Sequence, residues 1–177
     1  MNKYIPEKWL DEAPMDRIIT HWTGGLSIPS SGDLAHYHIL IDASGRVYKG
    51  IPDIRLNARP LKKGYAEHVR KCNTGSIGVA LCGMHGAIEN PFYAGKYPIT
   101  AHQWDVAAAV IAELCRAYHI PVAPETVLTH AEVQPTLKIP QKGKWDIIRL
   151  PFCPDLSGAR PVGDDLRTRV TEVWKTI

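Results

Sequence analysis

A chain of 177 residues, 45% of them apolar, is long enough to bury one continuous core and short for two, so a single domain over residues 1–177 is expected. The formal charge of +3 comes without a dense Lys and Arg run, which argues against a nucleic-acid partner. No stretch is apolar enough to insert stably in a membrane, and residues 1–14 mix Lys3, Glu7, Lys8, Asp11 and Glu12 with apolar side chains, unlike a secretory signal.

Residues 17–22, Arg-Ile-Ile-Thr-His-Trp, read as a short buried strand because they are rich in β-branched residues, follow Pro14 and end at Gly24-Gly25. Residues 37–42 and 46–50 have strand character and flank the turn-forming Ala43-Ser44-Gly45, which predicts a hairpin. From 51 to 73 the pattern loses its period and carries Pro52, Pro60 and Gly64, as a long surface loop does. Residues 76–82 form a near-continuous apolar run, the pattern of a strand covered on both faces.

Thr100 and Gln103 make a capping-box pair ahead of Trp104, Ala107, Ala108, Ile111, Leu114 and Cys115, a spacing that predicts a helix with one apolar stripe. Residues 127–129 are a short strand that delivers His130 to an edge. Residues 143–154 show no period and read as ordered loop. Asp164 is expected to cap a last helix whose apolar face is Leu166, Val170, Val173, Trp174 and Ile177. The sum is an α/β fold, a central mixed β-sheet flanked by helices, with loops gathered where strands end.

Cys72, Cys82, Cys115 and Cys153 are widely spaced with no CxxC pair, so neither a zinc ribbon nor a redox motif is indicated. Cys82 and Cys115 fall on apolar faces and read as core residues. No Gly-x-Ser-x-Gly elbow occurs, which weighs against a serine hydrolase. Of the eight histidines, His21 and His130 each stand at the polar end of a short apolar strand. Strand ends far apart in sequence and adjacent in a sheet are able to supply the rigid donors zinc needs. A lone strand-end histidine is more often a hydrogen-bonded structural residue, so neither convinces alone.

Taken in order, five segments resemble the type 2 N-acetylmuramoyl-L-alanine amidases, a family that includes phage endolysins and the related peptidoglycan recognition proteins. They are Ile18-Ile-Thr-His-Trp-Thr23, Ala35-His-Tyr-His-Ile-Leu-Ile-Asp42 with Gly45, His68 through Asn73-Thr-Gly-Ser-Ile-Gly-Val79, Leu128-Thr-His-Ala-Glu-Val133 and Lys144-Trp-Asp146. The resemblance implies a Zn2+ cofactor held by His21, His130 and Asp146, with the fourth position open to water as in catalytic zinc sites. It implies peptidoglycan as substrate, cut between the N-acetylmuramic acid lactyl group and L-alanine, and a phage-type endolysin made without a signal peptide in the host cytoplasm, acting on the cell wall after release as a monomer. A cytosolic muropeptide-recycling amidase and a non-catalytic peptidoglycan-binding module are the alternatives.

Many relatives use a cysteine next to a proline as third ligand, and Cys153-Pro154 is a rival to Asp146. Lys144 precedes Asp146 by the family's two positions, which favours the aspartate, and residues 134–142 then read as an insertion. Lys144 is the expected cation for the developing oxyanion, and Tyr37 a donor or water-orienting group, or else an aromatic packed on the sheet. Strand alternation sends Tyr37 and His38 to opposite faces. Some relatives carry a glutamate base where Ala80 and Leu81 stand, so Glu132 is considered as a base or as a partner to a ligand histidine, against a helix cap. His68 and Asn73 match positions that contact the muramyl peptide. His36, His85, His102 and His119 are expected to be surface or packing residues.

Overall fold

The β-branched run after Pro14 forms β1, Arg17–Trp22, with the predicted boundaries, in a computed structural model that describes residues 3–177. Met1 and Asn2, at the head of the segment weighed as a secretory signal, lie outside the described residues. The hairpin is present and shorter than expected: β2, Ile39–Ile41, pairs antiparallel with β3, Val47–Lys49. The apolar run becomes β4, Ser76–Leu81, and β5 is Val127–Thr129.

These strands make one five-stranded sheet in the order β3-β2-β4-β1-β5. β1 pairs parallel with both β4 and β5, and β2 pairs parallel with β4, so only β3 runs against the rest. The order makes β1 the turning point of the chain. From β1 it crosses to one side, and from β4 it returns to the other, which leaves a crevice at the carboxyl ends of the strands.

Helix α1, Ser31–His36, was not expected; its signal is a capping box in which Ser30 and Asp33 bond each other's backbone. Helix α2, Ala101–Ala117, starts on the predicted Thr100–Gln103 box, and its apolar stripe is buried. Helix α3, His130–Leu137, follows β5 directly and runs into the segment read as an insertion. Two places correct the sequence reading. Residues 149–157 hold a small hairpin, β6 (Arg149–Leu150) with β7 (Cys153–Ser157), where loop was expected. Helix α4, Ala159–Trp174, begins after Gly158, so Asp164 is interior to it and serves Arg160 and Arg167 instead of a cap.

Odd and even positions of the strands sort to two faces, as pleating requires. Ile18, Trp22, Ile77, Val79, Leu81 and Val127 share the main core with α2 and α4. Trp174 and Ile177, predicted on that face, are 44% and 41% exposed; the first is the last residue of α4 and the second lies beyond it. Ile19 faces the other way into a smaller cluster with Val69, Cys72 and Val133. The segment 51–73 is therefore not merely surface loop: Val69 and Cys72 pack on Ile19, Ile54 and Ala58 join the main core, and Ala66 is buried between them in sequence. Its organiser is Asn57, fully buried, whose side-chain amide donates to the carbonyls of Ala66 and Asn73 and accepts from the N–H of Ala66.

The amino-terminal end is tied down by Glu113 of α2, whose carboxylate accepts backbone N–H bonds from Lys3, Tyr4 and Ile5. No helix among the described residues is long and apolar enough to cross a membrane.

Candidate metal centre

Register brings the two strand-end histidines together. Thr20 on β1 is opposite Thr129 at the end of β5, so the next residue of each strand, His21 and His130, meets the other, with ring centroids 4.7 Å apart. Asp146 arrives from the loop after α3. The Nδ1 atoms of His21 and His130 lie 3.1 Å apart, and Oδ2 of Asp146 is 3.1 Å from the first and 3.2 Å from the second. All three residues are buried, Asp146 being 8% exposed. Cys153, the rival, sits in β7 against the main core.

The outer nitrogens settle which atoms face inward. His68 has Nε2 3.3 Å from the carbonyl of Ser76, which only an N–H can satisfy, so its Nδ1 is an acceptor when the ring is neutral. His21 Nε2, 3.0 Å from that Nδ1, must then be the donor. His130 Nε2 is 3.0 Å from Oε1 of Gln141, whose Nε2 donates to the carbonyls of Arg70 and Ile139. That fixes the amide so that Oε1 accepts from His130. With both rings neutral, as metal ligands require, each Nδ1 is a lone pair turned on a carboxylate oxygen.

Burial lowers the pKa of His21 to about 4, although the neighbouring Asp146 carboxylate works the other way. For Asp146 burial raises the value, yet the adjoining imidazoles of His130 and His21 outweigh it and hold the carboxyl at about 2. A neutral imidazole and an ionised carboxylate are the protonation states a metal requires. Three acceptors at 3.1–3.2 Å with no proton among them repel one another unless a cation lies between. Their spacing is close to the edge of roughly 3.3 Å in a tetrahedron whose arms are 2.0–2.1 Å. The residues present fit a zinc ion.

The triad opens into a cleft of about 540 Å³ whose lining includes Trp22, Tyr37, His68, Asn73, Lys144 and Trp145. Tyr37 has its ring centroid 5.2 Å from that of His21. Burial first, and then the charges of Asp146 and Asp33, push its pKa up, so the phenol keeps its proton at neutral pH. Tyr37 and His38 both precede β2, and of the two Tyr37 lines the cleft. His38 shares the face of Leu40 and lies beneath the cleft, with its ring 5.7 Å from that of His68 and bonded to Asn57 and to the N–H of Gly78. Lys144 is exposed at the cleft and near enough to lower the pKa of His21 by its charge. Trp22 and Trp145 meet edge to face at 4.8 Å.

Three residues weighed for chemistry have bonds to the protein itself. Glu132 is 1% exposed, and its two oxygens take a two-pronged bond from Arg167 at 2.8 and 2.9 Å while capping α3 through the N–H of Thr129. It faces α4, away from the cleft, and has no free lone pair directed at a substrate. His68 lines the cleft but spends both ring nitrogens on His21 and Ser76, which makes it a support for a ligand. Asn73 also lines the cleft, with Oδ1 committed to the backbone of His68 and Val69. Of the four unassigned histidines, all are exposed and His36 reaches the rim of the cleft. Sequence reasoning missed Gln141, Asn57 and Trp145. None had a signal of its own, because each is defined by a partner distant in the chain.

The model of the family described as N-acetylmuramoyl-L-alanine amidase matches residues 11–147. Among solved structures, the hydrolase AmiA from Staphylococcus aureus in complex with its ligand has a TM-score of 0.55 at 15% identity, over 91% of this chain and 73% of that one. A mutant of PlyL gives 0.54 at 20% identity, over 90% and 86%. The N-acetylmuramoyl-L-alanine amidase LysC from Clostridium intestinale URNW gives 0.51 at 16%, over 90% and 87%. At these identities the likeness is one of fold. No curated protein matches the sequence.

Proposed function

Given that the chain belongs to the N-acetylmuramoyl-L-alanine amidase family, with amidase activity on peptidoglycan, we propose that it works as a zinc hydrolase through His21, His130 and Asp146, cutting between the muramic lactyl group and L-alanine. The observation that carries this is the convergence of three proton-free acceptors on one point, which suits a cation and little else. When bound, zinc supplies the Lewis acidity that makes water nucleophilic near neutral pH.

The other residues act on the substrate. Amide hydrolysis places negative charge on the carbonyl oxygen in the transition state, and donors aimed there accelerate the reaction. Lys144, a cation on the cleft lining, is suited to that oxygen. Tyr37, protonated at neutral pH and beside His21, is suited to donate to the same oxygen or to orient water. His68 and Asn73 hold the wall of the cleft against which the muramyl peptide lies. Glu132 is not available as a base, since it is engaged by Arg167.

The test is mass spectrometry of digested sacculi, with a new free L-alanine amine and intact glycan strands as the expected products. Cleaved glycan, or no release, would overturn the assignment. A phage-type endolysin that acts on the wall as a monomer is the biological setting proposed. Activity on intact sacculi supports it, whereas activity confined to soluble anhydro-muropeptides would make the protein a recycling enzyme.

A further inference from the structure

Both histidines of the triad are held from behind, and both supports end on the same three residues. His21 reaches His68 directly, at 3.0 Å. His130 reaches Gln141, at 3.0 Å, and Gln141 passes the contact to the carbonyl of Arg70, at 2.9 Å. The segment 68–70 therefore stands behind both imidazoles, although it is far from either in sequence. Gln141 is 3% exposed and is itself seated by its backbone N–H on Oε1 of Gln134, at 2.9 Å. Every polar atom of its side chain is bonded. It lies in residues 134–142, the stretch read from sequence as an insertion.

We propose that Gln141 is a positioning residue for the metal site: it fixes the tautomer and ring orientation of His130 and ties that histidine to the wall of the cleft that also holds His21. A histidine that ligates a metal needs an acceptor on its far nitrogen, which keeps the proton there and aims the near lone pair. Gln141 is that acceptor, and its amide end adds a donor that a carboxylate lacks. The segment 134–142 thus belongs to the metal site as well as to the surface. The inference rests on the zinc reading of the same residues.

Two substitutions separate its roles. Gln141→Leu removes both the acceptor for His130 and the donor to Arg70, whereas Gln141→Glu keeps the acceptor and loses only the donor. Zinc affinity of chelator-treated protein is measured by competition with a chromophoric chelator, alongside the thermal midpoint of the metal-free forms. Gln141→Leu is expected to weaken zinc binding about 10- to 100-fold and Gln141→Glu to weaken it less, with a lower metal-free midpoint for Gln141→Glu because its buried carboxylate faces the carbonyls of Arg70 and Ile139. Zinc affinity of Gln141→Leu equal to the parent, or an equal loss in the two variants, would overturn the proposal. Failure of the parent protein to bind zinc is a different result and would overturn the zinc reading itself.

Discussion

The carbonyl oxygen of Asp146 accepts a 2.7 Å hydrogen bond from the N–H of Ala131, the residue next to His130. The third member of the triad is thus pinned to the first turn of α3 by main chain, independently of its carboxylate. Asp146→Ala should for this reason leave the loop in place and remove one donor. The expected outcome is a folded protein with little bound zinc by elemental analysis and no release of L-alanine ends. Cys153→Ala, in β7, should keep both; loss of zinc in that variant would return the third position to the cysteine.

His21→Ala and His130→Ala should lose zinc content and lysis together, because each removes a lone pair with no substitute nearby. Lys144→Ala should keep zinc and lower turnover about 10²- to 10³-fold, the usual effect of removing one oxyanion donor. Metal analysis and turbidity of a sacculus suspension, measured on the same preparations, separate the two classes. Full lysis in either histidine variant would refute the metal assignment.

Arg167 joins three elements, since it donates to Glu132 of α3, to Asp164 of α4 and to the carbonyl of Val127 in β5. Arg167→Met strands the buried carboxylate of Glu132 and should cost about 3–5 kcal/mol in urea unfolding, with zinc retained by the folded fraction. Gly163 shares the arrangement: a side chain there would collide with the Glu132 carboxylate. If Glu132→Gln were fully folded and inactive, the carboxylate would have to be restored to the catalytic machinery.

Gly78 of β4 passes directly under His68. A Cβ added there would lie 2.6–2.9 Å from the Cγ, Cδ2 and Nδ1 atoms of that ring, closer than van der Waals contact allows. Gly78→Ala should displace His68 and deprive His21 of its acceptor, weakening zinc binding about 10- to 100-fold. Competition titration reads the effect, and unchanged affinity would mean that His68 moves freely and does not support the ligand.

Acid should weaken the β2–β3 turn. Burial works to raise the pKa of Asp42, but bonds from Ser44, Tyr48 and the N–H groups of Arg46 and Ser44 outweigh it and hold the carboxyl below its usual range. A group so depressed contributes stability in full above its unfolded value of about 3.9 and loses it as the pH falls through the lower folded value. Asp42→Asn should therefore lower the melting temperature at pH 7, and its deficit relative to the parent should shrink below about pH 4. A deficit independent of pH would show that charge is not what the turn uses.

What could be read from sequence was what repeats locally. The strands ending at His21 and Thr129 are short apolar runs, and α2 announces itself through Thr100, Gln103 and its stripe. Helix α1 carried the same kind of signal in Ser30 and Asp33, and was passed over because only six residues follow the cap. The hairpin 149–157 has no alternating pattern, since Pro151 and Pro154 interrupt it. The triad was legible because family order supplied what distance in sequence hides. Glu132 stays open between cleft and cap in the sequence for the opposite reason: its partner lies 35 residues away, and a carboxylate two residues from a ligand looks alike whether it turns to the cleft or to α4. Gln141 had no pattern at all, because its role consists of contacts with Arg70 and His130.

All four cysteines are unpaired, and burial pushes the thiols of Cys82 and Cys115 up to about 12. Cohesion comes from the sheet, its two helical neighbours and the ion pair behind α3, with no covalent crosslink to make or lose. Transfer from a reducing to an oxidising medium leaves nothing in that framework to be remade. An oxidant reaches Cys153 first, the half-buried one, on the β6–β7 hairpin.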